Sequence, residues 1–286
     1  MARISDMLAQ GQTYSFEFFP PRTDAMVRQL EETLAALEPL APSFCSVTYG
    51  AGGSTRERTL EAVMHVRHQT SMVAMPHLTC VGQSEAEIRG LVEQYRAEGI
   101  ENLLALAGDP PKDGPATGNF TYAVELIDIV REIGGFSVGV AAFPEVHPRS
   151  SDRATDRRHL ADKLRVSDFA ITQFFFTADH FLRMRDELDA LGVHTPVIPS
   201  IFPIANVATA RRFSAMNGTE FPDWLSERLD PVEDDAEEVR RIGVDVAVAL
   251  GEELLADDVA GLHIYTLNRS ESALEVWAGL GLSSRR

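Results

Sequence analysis

The chain has 286 residues, with 26 Lys and Arg against 43 Asp and Glu, for a formal charge of −17. Hydrophobic residues make up 44 % and charged residues 24 %, globular proportions that exclude a disordered, collagen-like or disulfide-scaffold chain. So acidic a chain is expected neither to neutralise nucleic-acid phosphates nor to dock on anionic lipid, while a small anionic ligand is compatible with it wherever basic side chains cluster locally.

Taken in chain order, short apolar, β-branched and aromatic runs predict strands over 14–19, 44–49, 73–79, 102–107, 137–143, 169–175, 197–202 and 262–267. Most neighbours begin about thirty residues apart, the length of a strand–helix–strand unit. Apolar residues at helical spacing fill the gaps: Leu30, Leu34 and Leu37, then Ile88, Leu91 and Tyr95, then Val239, Ile242, Val246 and Leu250. Ser54 with Glu57, and Ser84 with Glu87, have the spacing of capping boxes. The acidic run 230–238 precedes the last long periodic segment, where a helix dipole favours negative charge.

The strands read as continuous apolar runs, as when both faces of a parallel sheet are covered. The prediction is a (β/α)8 TIM barrel, one domain over 1–286, with at least two extra helices between Pro203 and Gly261 before the last strand. A doubly wound sheet with a small added domain is the alternative. Cys45 and Cys80 stand far apart in apolar runs, which predicts buried free thiols in a reducing compartment. The N-terminal segment carries Asp6 and lacks an apolar core, so no signal peptide is expected there. No apolar stretch approaches the roughly 20 residues that span a bilayer, and a cytoplasmic location is expected.

Barrel chemistry gathers where strands end and βα loops begin. Glu17 sits among aromatics in Phe16-Glu-Phe-Phe-Pro-Pro21, where burial should raise its pKa and fit it to serve as a general acid. Asp109, before two prolines, suits either a turn or a site. His77 and His147 are single histidines near strand ends without ligand partners at metal spacing, so no metal is expected. His65 and His68 share a helix face and read as solvated. Gln173 could hydrogen-bond a heterocycle or a neighbouring strand. The loop Gly50-Ala-Gly-Gly-Ser-Thr55 could offer N–H groups to a phosphate, or simply be a turn.

Seven segments in order resemble methylenetetrahydrofolate reductase of the bacterial, catalytic-domain type. They are Ser15-Phe-Glu-Phe-Phe-Pro-Pro-Arg22, Ser46-Val-Thr-Tyr-Gly-Ala51, Pro76-His-Leu-Thr-Cys80, Gly108-Asp109, Pro144-Glu-Val-His-Pro148, Ile171-Thr-Gln-Phe-Phe-Phe176 and Tyr265-Thr-Leu-Asn-Arg269. The resemblance implies reduction of 5,10-methylenetetrahydrofolate to 5-methyltetrahydrofolate. It makes Glu17 the general acid and places Asp109 against the pterin. Gln173 and Phe213 would bind substrate, and Arg269 would meet the glutamate tail; Phe213 is otherwise a core residue.

The same resemblance implies FAD, but several flavin positions depart from the family. Ala107 stands where the family has an arginine, Phe143 replaces a tyrosine, His159 an asparagine and Asp162 an arginine. Asp156 and Lys163 match. An anion in place of a cation about 5 Å from a diphosphate is unfavourable by about 3 kcal/mol per charge pair at an effective dielectric near 20. Weak or absent FAD binding is therefore predicted, with hydride passing directly from NADH or NADPH. Thr48, His77, His147, Asp156 and Lys163 would then line the dinucleotide site. A conventional FAD enzyme and a folate-binding paralogue without turnover are the alternatives. The protein is expected to be a monomer or a small homo-oligomer.

Overall fold

The computed structural model describes residues 2–49, 56–108 and 118–282. Among these, nine parallel strands form one sheet: β1 (Thr13–Phe18), β2 (Phe44–Val47), β3 (Ala74–Thr79), β4 (Asn102–Leu106), β5 (Ser137–Ala142), β6 (Phe169–Thr172), β7 (Val197–Ile198), β8 (Ser200–Ile201) and β9 (Gly261–Tyr265). Their hydrogen-bonded order is β7-β6-β5-β4-β3-β2-β1-β9-β8. Its two ends, β7 and β8, are separated in the chain only by Pro199, so the sheet closes on itself as a TIM barrel.

The expected strand over 197–202 is thus divided. Proline has no N–H to give to a ladder. Its carbonyl still accepts from His263 N at 3.0 Å, while β7 pairs with β6 and β8 with β9. The run 169–175 is also shorter than its apolar pattern, since β6 stops at Thr172. Gln173 lies just beyond it, with its N–H on the Ala142 carbonyl at 2.7 Å.

The helices are α1 (Ile4–Gln10), α2 (Asp24–Leu37), α3 (Arg56–Gln69), α4 (Glu85–Ala97), α5 (Ala123–Ile133), α6 (Arg153–Val166), α7 (Ala178–Ala190), α8 (Val207–Asn217), α9 (Asp223–Leu229), α10 (Ala236–Ala256) and α11 (Glu271–Gly279). Three of them, α8, α9 and α10, fill the interval before the last strand. The Ser84–Glu87 capping box forms as its spacing predicts. In the acidic run, Asp235 is the N-cap of α10 and accepts from the N–H groups of Glu237 and Glu238. Ser54 lies outside the described residues.

Strand alternation sorts the side chains. Phe16, Phe18, Cys45, Val47, Leu78, Val138, Val140, Leu262 and Ile264 face the helices in the main core. Phe44, Met75, Leu104, Phe169, Ile171 and Ile198 fill the barrel, joined by Ile4 of α1. Burying each of these larger side chains contributes about 1.5–3 kcal/mol. Gly139 makes room for this layer, because a Cβ there would lie 2.5 Å from the Phe169 ring. α1 closes the N-terminal end, with Ile4 N donating to Asn102 Oδ1 at 2.7 Å. A separate apolar cluster of Phe174, Phe176, Phe202, Ile204, Leu225 and Ile242 ties α8–α10 to the opposite end. Both cysteines are buried free thiols. No helix among the described residues is long and apolar enough to cross a membrane.

Candidate active site

Glu17 stands near the end of β1 and points into the barrel, where it is 5 % exposed. Its Oε2 lies 3.7 Å from His77 Nε2 of β3 and 3.6 Å from His263 Nε2 of β9. Burial raises the Glu17 pKa to about 7, and the nearby His77 only partly offsets this. Both imidazoles are pushed the other way by desolvation, His77 to about 4 and His263 to about 3. Near neutrality two uncharged rings therefore flank a carboxyl group poised between its acid and base forms. His263 is fixed from both sides, by Ser15 Oγ at Nδ1 (2.7 Å) and Ser46 Oγ at Nε2 (3.2 Å). His77 Nε2 has no hydrogen-bond partner among the described residues.

Around the barrel from Glu17, its register partner Tyr265 donates from its hydroxyl to Gln173 Oε1 at 3.0 Å. The Tyr265 ring stands edge-on to Phe174 and Phe202, with centroids 6.0 and 6.2 Å away. Phe213 of α8 reaches the same wall, 6.1 Å from Phe202. Acid, amide and aromatic wall thus share the C-terminal end of the barrel, the end that carries chemistry in this architecture.

The β5–α6 side is built differently. His147 packs edge-on to Phe143 at 4.4 Å, and its Nδ1 accepts from Arg149 N at 3.1 Å. Asp156 is buried, and its Oδ1 accepts from His147 N (3.1 Å) and Ser150 Oγ (2.7 Å). Its Oδ2 takes Arg157 at 2.5 Å. Arg157, 3 % exposed, also donates to the carbonyls of Phe143, Pro144 and Glu145 and to Glu187 Oε2. Lys163 is half-buried, with its ammonium on the Ala141 carbonyl at 2.8 Å. Desolvation lowers its pKa to about 8, against the pull of Asp156.

The remaining candidates are placed less centrally. Thr48 follows β2 and donates its N–H to the Phe18 carbonyl at 2.9 Å. Arg269 is exposed on the loop after β9. Asp109 and the loop 50–55 lie outside the described residues. His65 and His68 are surface residues near Glu31 and Glu98, and no metal-binding group occurs among the described residues. Sequence reasoning missed His263, Tyr265 and Arg157. The first two had a legible signal, since alternation in Leu262-His-Ile-Tyr265 puts both on the inward face. Arg157 had none, being one arginine in a run of charged helix residues.

The methylenetetrahydrofolate reductase family model matches residues 3–281. The chain belongs to that family. It is 37 % identical to the 5,10-methylenetetrahydrofolate reductase of Escherichia coli (strain K12), over 96 % of this chain and 92 % of that protein. It is 35 % identical to methylenetetrahydrofolate reductase (NADH) 1 of Arabidopsis thaliana, over 98 % of this chain and 50 % of the plant protein. Among solved structures, it resembles a Clostridium thermocellum protein that binds two copies of 5-methyl-5,6,7,8-tetrahydrofolic acid. That likeness has a TM-score of 0.72 at 11 % identity, covers 97 % of this chain and 98 % of the other, and speaks to the fold.

The sequence resemblance implies a flavin, and the residues at its expected positions differ in what they offer one. Asp156 already takes three hydrogen bonds within the protein, from His147 N, Ser150 and Arg157. Ala107 has no side-chain donor to offer a flavin. Lys163 keeps ammonium donors for a phosphate beyond the one on the Ala141 carbonyl. Asp162 acts more weakly than its sequence position implies. Its side chain is 69 % exposed and paired with Arg165 at 2.7 Å, so water and salt screen it and the full 3 kcal/mol penalty does not apply. The residues that offer a flavin least are Asp156 and Ala107.

Proposed function

We propose that this protein reduces 5,10-methylenetetrahydrofolate to 5-methyltetrahydrofolate, with NADH or NADPH giving hydride directly to the folate. The observation that carries this reading is Glu17, a buried carboxyl at the C-terminal end of the barrel with a pKa near 7. Glu17 gives its proton to N10, the N10–methylene bond breaks, and its electron pair stays on nitrogen. The 5-iminium cation that results accepts hydride from the dihydronicotinamide at the methylene carbon. The products are the 5-methyl compound and oxidised nicotinamide, and Glu17 regains a proton from water. Gln173 and Phe213 hold the pterin, Arg269 meets the glutamate tail, and Asp109 stands by the developing cation.

The two rings must approach within about 3–3.5 Å. Thr48, His77, His147 and Lys163 are assigned to the dinucleotide. Asp156 is assigned to the same side as an anchor, because its carboxylate is held by Arg157 and Ser150. Flavin independence is supported by that same engagement and by Ala107. NADH is favoured as donor, since the Arabidopsis relative carries NADH in its name.

The test is NADH oxidation with methylenetetrahydrofolate, with and without added FAD, on protein whose flavin absorbance has been checked. Turnover by colourless protein, unchanged by FAD, is expected. Protein that stays yellow after desalting, with activity that follows its flavin content, overturns the direct route. Folate binding without turnover overturns the enzyme reading.

A further inference from the structure

We infer that Tyr265 is a positioning residue that locks the Gln173 amide, so that Gln173 offers only N–H donors to whatever occupies the barrel mouth. Gln173 Oε1 accepts two hydrogen bonds, from Phe174 N at 3.0 Å and from Tyr265 Oη at 3.0 Å. A backbone N–H can only donate, so the Phe174 contact fixes which amide atom is oxygen. With both oxygen lone pairs engaged, the amide has its NH2 group left for a ligand. Gln173 Nε2 has no partner among the described residues, and it is not one of their fully enclosed unpaired atoms.

Tyr265 is itself held to this task. Phe174 and Phe202 pack edge-on against its ring, and β9 pairs it with Glu17. Ser200 lies beside the phenol, but its own hydroxyl donates to the Thr172 carbonyl at 2.6 Å. Desolvation and the Glu17 carboxyl keep the phenol protonated, well above its usual range. A ligand edge presenting a carbonyl or an unprotonated ring nitrogen is accepted at this position, and an edge presenting N–H is refused. Taking that edge as the reduced pterin's rests on the function proposed above.

Two measurements test this and separate it from that function. In the ligand-free protein, the Gln173 side-chain amide, assigned by its absence in Gln173→Ala, is followed by 15N NMR. Tyr265→Phe, which keeps the ring packing, is expected to shift this amide pair and to speed its hydrogen exchange. An unmoved amide overturns the lock, whatever the protein's activity. In turnover with methylenetetrahydrofolate, Tyr265→Phe is expected to raise KM about five- to tenfold, the size of one misplaced neutral hydrogen bond. It should change KM less than twofold when Gln173 is already alanine. Losses that multiply in the double variant overturn action through Gln173. Absence of turnover in the wild type sinks the proposed reaction and leaves the NMR result to decide the lock.

Discussion

Arg157 Nη1 lies 2.5 Å from Asp156 Oδ2, and both side chains are almost wholly out of water. Arg157's other donors hold the carbonyls of Phe143, Pro144 and Glu145, and Asp156 holds His147 N. The pair thereby fastens the loop after β5, including the residues assigned to the nicotinamide side.

Removing one partner of a buried ion pair leaves the other charge uncompensated, which costs about 3–5 kcal/mol. Arg157→Ala is expected to lower stability by about that amount in urea unfolding. Asp156→Asn should change stability more than it changes KM for NADH. A large KM effect in a fully stable Asp156→Asn protein would mean that Asp156 touches the cofactor.

General acid catalysis by Glu17 requires its protonated form. With a pKa near 7, kcat/KM for methylenetetrahydrofolate is expected to fall about tenfold per pH unit above that value. Glu17→Gln should lose about 10²–10⁴-fold in turnover and keep folate affinity within a few-fold. The pH profile and a binding titration check the two halves.

The same carboxyl leaves a mark on stability. Its pKa rises from 4.5 to about 7 on folding, so between those values the folded state binds more protons than the unfolded chain. Its contribution is therefore complete below pH 4.5 and lost as pH rises through about 7, about 3 kcal/mol in all. His77 and His263 oppose it, because their pKa values fall on folding and acid favours the unfolded chain. Denaturant melts of the wild type against Glu17→Gln isolate the carboxyl. The variant should gain on the wild type between pH 4 and pH 8.

Lys163 carries its charge below pH of about 8. NADH affinity is expected to weaken above that pH as the ammonium is lost, and Lys163→Met should be weak and flat across the same range. Fluorescence titration with NADH at several pH values reads this directly.

The barrel was legible because its strands are apolar runs at a steady interval and its helices repeat every third or fourth residue. Glu17 stood out as a lone acid among aromatics, and burial is what makes it chemically unusual. Pro199 was visible, but its effect on strand pairing depends on where β6 and β9 lie. The Arg157–Asp156 pair was hidden, because neighbouring charges on a helix ordinarily face water. Only the fold of the β5 loop over α6 takes these two out of it. Tyr265 and Gln173 are 92 positions apart in sequence, and closure of the sheet alone makes them neighbours.

A hoop is easiest to part where its overlap is thinnest. The divided stave at Pro199 joins the wall through two short ladders, from two residues on each side. Thr172 and Ser200 cross-link that seam, one position from Gln173 and in step with His263. The barrel wall is thus narrowest in its pairing on the flank of the amide–phenol pair, and a side-chain clasp makes up there for a ladder two residues long.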